Sequence, residues 1–260
     1  MILALIAIIS IPVVNVLTCK AKNRNDEKIA VIGHRGAAGM ATENSLAAID
    51  AGIATGADFI EVDIHQTKDK ELVIMHDRTL NRTTNKRGRI RDLTYDEINQ
   101  AVLKGEDDPP QKVPLLREAL NKIKSSNAIL LIEIKFPDDY PDLQESLEHL
   151  IKETNTESNI MLFSFYPEVI KDMKKRLPHV KTGIFCFGFE KIKQWNDVDY
   201  ICPFWMTLLY NPGIVQKIHS IGAKVFVWTV NSSYWMKYAI NRNVDGIITN
   251  HPDLMQKTLR

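Results

Sequence analysis

The sequence predicts an α/β fold, a (β/α)8 TIM barrel with a β-hairpin and a small insertion at its C-terminal mouth. Three observations lead there. Short apolar, β-branched runs alternate with segments of helical period along most of the chain. The runs number eight once one hairpin arm is set aside. No Gly-x-Gly-x-x-Gly follows the first run, which disfavours the runner-up, a doubly wound dinucleotide-binding sheet.

Taken in order, residues 29–33 (IAVIG) form a buried strand between Lys28 and a loop carrying His34-Arg35-Gly36. Asn44 is the expected N-cap of a helix marked by Leu46, Ile49 and Ile53 and ended near Gly56. Residues 58–63 form the second strand. The chain then turns through Lys68-Asp69-Lys70-Glu71 and returns as an apolar arm at 71–75. With Asp69 and Lys70 as a two-residue loop, Asp63 falls opposite His76. Residues 78–113 lack a strand period and read as an insertion over the barrel mouth, too long for an idle loop. Within it, Thr94 and Glu97 have capping-box spacing for a short helix to about Leu103, broken by Asp108-Pro109-Pro110.

A helix at 114–124 precedes the strongest buried run, ILLIEI at 129–134. Strands follow at 160–164, 180–186, 198–202, 224–229 and 245–249. Between them, helices are marked by Leu143, Leu147, Leu150 and Ile151, then by Val169, Ile170 and Met173. Further helices are expected near 189–195, over 211–221 and 232–240, and from Pro252 onward.

A hydrophobic content of 45%, a charged content of 25% and a net charge of +1 suit a soluble globular domain. No basic face dominates, so a nucleic-acid partner is not expected. The expected domain is 28–260, preceded by a segment at 1–27 that lies outside the fold. Within that segment, Ile2 to Leu17 are apolar apart from Ser10, Pro12 and Asn15, and a polar stretch follows Cys19. A signal peptide, a lipoprotein signal ending at a lipidated Cys19 and an uncleaved anchor all fit. Each implies an exported domain, periplasmic or membrane-anchored. Cys186 and Cys202 make no disulfide framework and are expected as buried small hydrophobes, a bridge remaining open in an oxidising compartment.

In a parallel barrel, chemistry is placed at the carboxyl ends of the strands. His34 and Arg35 end the first run, Glu61 and Asp63 the second, Glu133 and Lys135 the third, and the hairpin returns His76 to the same mouth. A carboxylate in an apolar strand is costly unless paired or metal-bound, so an ion pair of Glu133 with Lys135 is the plain alternative. Three converging carboxylates repel one another without a cation between them, and oxygen donors suit Mg²⁺ or Ca²⁺. The two histidines suit acid/base work near neutral pH or ligation, and Arg35 and Lys135 supply fixed positive charge. An oxyanionic substrate fits, a phosphodiester well.

His34-Arg35-Gly36, Glu43-Asn44-Ser45, Glu61-Val62-Asp63, His76-Asp77, Glu133-Ile134-Lys135, Trp228-Thr229-Val230-Asn231 and Asp245 to Asn250 occur in that order. Together they resemble the signature of the glycerophosphodiester phosphodiesterases over residues 28–256. The resemblance implies a TIM-barrel enzyme that cleaves glycerophosphodiesters to sn-glycerol 3-phosphate and an alcohol. It implies one divalent cation, Mg²⁺ or Ca²⁺, on Glu61, Asp63 and Glu133, an acid/base pair of His34 and His76, and phosphate contacts from Arg35 and Lys135. Trp228 and Phe165 read equally as a floor to the site and as core, and Glu43 as a polar or a structural residue. Thr42 stands where proline is usual and Asn250 where an acid is usual, which touches the loop and one polar contact. Related readings are a phosphatidylinositol phospholipase C-like or lysophospholipase D activity. From another class, a noncatalytic phosphodiester-binding lipoprotein stays open.

Overall fold

The computed structural model describes residues 28–188, 195 and 197–260. The N-terminal segment with its signal and lipidation readings, and most of the helix expected near 189–195, lie outside the described residues.

Eight parallel strands close into a barrel. They are β1 (Ala30–Gly33), β2 (Phe59–Gln66), β4 (Ile129–Ile134), β5 (Ile160–Ser164), β6 (Lys181–Cys186), β7 (Tyr200–Pro203), β8 (Lys224–Val227) and β9 (Gly246–Thr249). Their order is β1-β9-β8-β7-β6-β5-β4-β2, and β1 also pairs with β2, which shuts the ring. The short strand β3 (Leu72–Ile74) lies antiparallel on β2, outside the ring. The helices α1 (Leu46–Ala54), α3 (Leu116–Lys124), α4 (Leu143–Thr154), α5 (Pro167–Arg176), α7 (Ile214–His219) and α8 (Ser233–Asn241) stand between strands, α9 (Pro252–Leu259) follows the last one, and α6 (Thr207–Tyr210) is a single turn after β7. No described helix is long and apolar enough to cross a membrane.

Period two sorts every strand into an inner and an outer face. Ile60, Val62 and Ile64 of β2 and Leu130, Ile132 and Ile134 of β4 pack outward in the main core under the helices. Ile32, Leu131, Met161, Phe163, Phe185, Cys202, Phe226 and Ile248 fill the interior as a second cluster. Gly183 makes room there: a Cβ on it would sit 2.3 Å from the Phe163 ring. Toward the carboxyl ends this inner stripe changes character. On β2 it runs Phe59, Glu61, Asp63, and on β4 it runs Ile129, Leu131, Glu133, with Asp63 and Glu133 in register.

Residues 78–113 share a separate core with the return arm of the hairpin, in which Val73, Met75, Leu80, Ile90, Ile98, Ala101, Leu103 and Val113 pack together. The capping box is present: Thr94 caps α2 (Tyr95–Asn99) with Glu97 reaching back. That helix ends four residues before Leu103, because Val102 and Leu103 turn into β-bridges with Lys112 and Thr84.

Two further local expectations are corrected. The hairpin loop has three residues, not two: Ile64 pairs with Ile74 and the Thr67 N–H donates to the Glu71 carbonyl, so Asp63 faces Met75 and His76 lies one residue beyond. The Thr67 hydroxyl sets this loop by accepting from the Glu71 N–H and donating to Asp69, with Lys70 left-handed at φ 67°. The cap of α1 is Ser45, whose side chain accepts from the Ala48 N–H, and not Asn44. The Asn44 amide instead donates to Asp63 at 2.8 Å and accepts from its backbone N–H at 3.3 Å. Cys186 and Cys202 are buried thiols on neighbouring strands.

Candidate active site

A cavity of about 210 Å³ opens at the carboxyl ends of the strands. His34, Arg35, Glu61, His76, Glu133, Lys135, Phe165, Phe185 and Trp228 all line it. Asp63 lies just beneath, 1% exposed, between Asn44 and the Lys135 ammonium at 3.2 Å. Every residue singled out as a candidate from the sequence is therefore brought to one place. Strand parity explains why. Inner positions toward the carboxyl ends of β9, β1, β2 and β4 carry Asn250, His34, Asp63 and Glu133, whereas those of β5 to β8 carry Phe165, Phe185, Phe204 and Trp228. One half of the mouth is polar and the other aromatic.

Glu61, Asp63 and Glu133 are all buried, with one carboxylate oxygen of each within 4.8 Å of the others. Burial, reinforced by Asp63 and Glu133, pushes the Glu61 carboxyl well above its ordinary range. Burial also raises Glu133, to about 8, against the pull of Lys135 and with the push of Asp63. On Asp63 burial works in the same direction, but Lys135 and Arg35 outweigh it and hold the group well below the usual carboxylate range. The Glu61 Oε2 accepts from the Arg35 N–H at 2.7 Å, while its buried Oε1 has no hydrogen-bond partner among the described residues. An orphaned carboxylate oxygen inside an all-oxygen triad fits a hard divalent cation. The plain alternative, an ion pair of Glu133 with Lys135, is present as well at 3.3 Å. It accounts for Lys135 but leaves the Glu61 oxygen unsatisfied.

Each histidine is held through Nδ1. His34 Nδ1 lies 2.6 Å from Asn250 Oδ1, and His76 Nδ1 lies 2.8 Å from Asp77 Oδ1. Both oxygens only accept, so Nδ1 carries the proton in each neutral ring and Nε2 is the accepting nitrogen. Burial, with help from Arg35, lowers His34 to about 4. Burial also lowers His76, opposed by Asp63. His65, which sequence reading passed over, donates from Nε2 to the His76 carbonyl at 3.2 Å and accepts from the Tyr140 hydroxyl at 2.8 Å. Trp228 donates from Nε1 to the Cys202 carbonyl at 2.7 Å, which fixes its ring against Phe165, 5.3 Å away and edge-on. It is both packed and cavity-lining.

Residues 34–254 match the sequence profile of the glycerophosphoryl diester phosphodiesterase family. The chain belongs to that family. It is an enzyme, a phosphodiesterase. A glycerophosphodiester phosphodiesterase of Caldanaerobacter subterraneus subsp. tengcongensis is 34% identical over 242 residues, covering 90% of this chain and 98% of its own length. The crystal structure of a glycerophosphodiester phosphodiesterase from Agrobacterium tumefaciens superposes with a TM-score of 0.76 at 25% identity, covering 88% of this chain and all of its own. A phosphodiesterase of Oleispira antarctica, solved in complex with the product sn-glycerol 3-phosphate, shares the fold at a TM-score of 0.77 and 23% identity, over 88% of this chain and 96% of its own.

Proposed function

We propose that this phosphodiesterase hydrolyses glycerophosphodiesters to sn-glycerol 3-phosphate and an alcohol, using a divalent cation, Mg²⁺ or Ca²⁺, and two acid/base histidines. The observation that carries the reading is the convergence of Glu61, Asp63, Glu133, His34 and His76 on one cavity, with Arg35 and Lys135 beside them. Glu61, Asp63 and Glu133 hold the cation, which when bound stabilises negative charge on the phosphoryl oxygens. Arg35 and Lys135 bind and orient the phosphate. One histidine takes the proton of the attacking oxygen at Nε2, and the other gives its Nε2 proton to the departing alcohol. Trp228 borders the space left for glycerol or the leaving group.

The test is turnover of glycerophosphocholine and related diesters by the purified chain, with Mg²⁺ or Ca²⁺ supplied in turn. Release of glycerol 3-phosphate is expected, abolished by EDTA and lowered about 10²- to 10⁴-fold by His34→Ala or His76→Ala. Activity that survives both histidine changes sinks the mechanism. Binding without turnover across the panel favours the noncatalytic reading.

A second reading, action on diesters that bear a hydrocarbon chain, as in lysophospholipase D, is favoured by the apolar rim. The exposed large apolar side chains among the described residues are Met40, Phe187, Leu209, Tyr210 and Tyr234. All five stand in the loop or the first helical turn that follows a barrel strand, at the carboxyl ends of the strands. A lysophospholipid turned over no faster than glycerophosphocholine counts against it. For the N-terminal segment, export with lipidation at Cys19 is checked by palmitate labelling lost in Cys19→Ser.

A further inference from the structure

Asp77 holds His76, and Arg82 in turn holds Asp77. The Arg82 guanidinium donates from Nε to Asp77 Oδ2 at 2.8 Å and from Nη2 to Asp77 Oδ1 at 3.0 Å. The same group donates from Nη1 and Nη2 to the two Glu43 oxygens at 2.9 and 2.7 Å. Glu43 Oε1 also accepts from Arg35 Nη1 at 2.8 Å. A continuous chain of charge-assisted contacts thus runs His76–Asp77–Arg82–Glu43–Arg35, joining two residues that line the cavity. Asp77 Oδ1 receives both the His76 Nδ1–H and an Arg82 N–H, so the plane of the guanidinium sets the plane of the carboxylate that orients the imidazole.

We propose that Arg82 is a positioning residue of this active site, fixing the Asp77 carboxylate so that His76 keeps one tautomer and one orientation. This rests on the reading of His76 as an acid/base group. The Arg82 side chain is 48% exposed, and exposed ion pairs contribute little to stability. Its backbone, by contrast, is pinned. Leu80 is buried in the core of the 78–113 segment, and the Thr84 hydroxyl donates to the Leu80 carbonyl at 2.8 Å. The Thr83 hydroxyl meets Met75 Sδ at 3.0 Å, and the Lys104 ammonium donates to the Arg82 carbonyl at 3.3 Å. The core that the insertion shares with the hairpin arm therefore delivers a fork of five donors to two carboxylates beside the cavity. A lysine in its place would keep the charge but not hold both carboxylates in a fixed plane.

The experiment measures kcat and KM of the full-length chain on glycerophosphocholine with its divalent cation for wild type, Arg82→Ala, Arg82→Lys, His76→Ala and His76→Ala/Arg82→Ala. Thermal melting is followed alongside. Arg82→Ala is expected to lose about 10- to 100-fold in kcat with KM within about threefold. Arg82→Lys should melt like wild type yet stay about tenfold or more slow, and it carries the test if Arg82→Ala does not fold. The double variant should be no slower than His76→Ala, since a residue acting through His76 has nothing left to position. Wild-type kcat in Arg82→Lys, or an Arg82→Ala loss repeated in full on the His76→Ala background, overturns the role. A wild type that turns over no diester overturns the functional reading itself, whereas an active wild type with unaffected Arg82 variants overturns only the inference.

Discussion

At the scale of single residues, the structure sets the cost of burial against the need for charge. His65 is fully buried, its two ring nitrogens committed to the His76 carbonyl and the Tyr140 hydroxyl. Burial lowers its pKa to about 4 from the ordinary 6.5. Because the unfolded chain then binds the proton more tightly than the folded one, stability is complete above pH 6.5 and drains away as pH falls toward 4. Between pH 7 and pH 5 this single group removes about 2 kcal/mol. Urea unfolding at the two pH values should show that loss, and His65→Asn should show a smaller one. Equal losses in both would mean that His65 takes up its proton without opening the fold. The adjoining triad illustrates the converse: Glu61 and Glu133 sit where a carboxylate is hard to ionise, a cost that the proposed cation would offset.

At the scale of elements, the hairpin shows what a local pattern can and cannot convey. Lys70 occupies a left-handed position, and its ion pair with Asp142 joins exposed groups. Lys70→Gly should therefore raise stability by about 0.5 kcal/mol, read from the denaturation midpoint, with the helix-side pair adding little. A loss instead would show that the Asp142 pair matters more than the backbone. The eight barrel strands were legible because each is an apolar run with turn signals at both ends, and buried parallel strands need nothing else to announce them. The acids and the first histidine were legible for the same reason, as polar residues at the ends of those runs. The register of the return arm was not, since a two- and a three-residue loop differ only in how Thr67 uses its hydroxyl. Asn44 carried a true signal with the wrong meaning: its amide serves Asp63, while Ser45 caps the helix. Arg82 was invisible, because its importance comes from turns and bridges that place a non-periodic segment over the mouth.

At the scale of the whole molecule, the barrel interior is a packing problem solved around a few large rings. Phe163 and Phe226 stack nearly parallel with centroids 6.5 Å apart, and Gly183 gives up its side-chain volume to one of them. Gly183→Ala should cost about 1–3 kcal/mol through overpacking, measured by equilibrium unfolding, and Phe163→Leu should restore part of it. A neutral Gly183→Ala would mean that the strands yield more easily than a closed ring suggests. Closure also governs when the catalyst comes into being. The contact between His34 and Asn250 spans 216 residues and joins the first strand to the turn after the last. A contact that distant costs loop-closure entropy before it is rewarded, so it is expected to form late in folding. A growing or half-folded chain thus carries the acids and Arg35 long before His34 is seated. On the role proposed for His34, enzymatic turnover is expected to be a late reporter of folding, read at the seam between the first and the last strand.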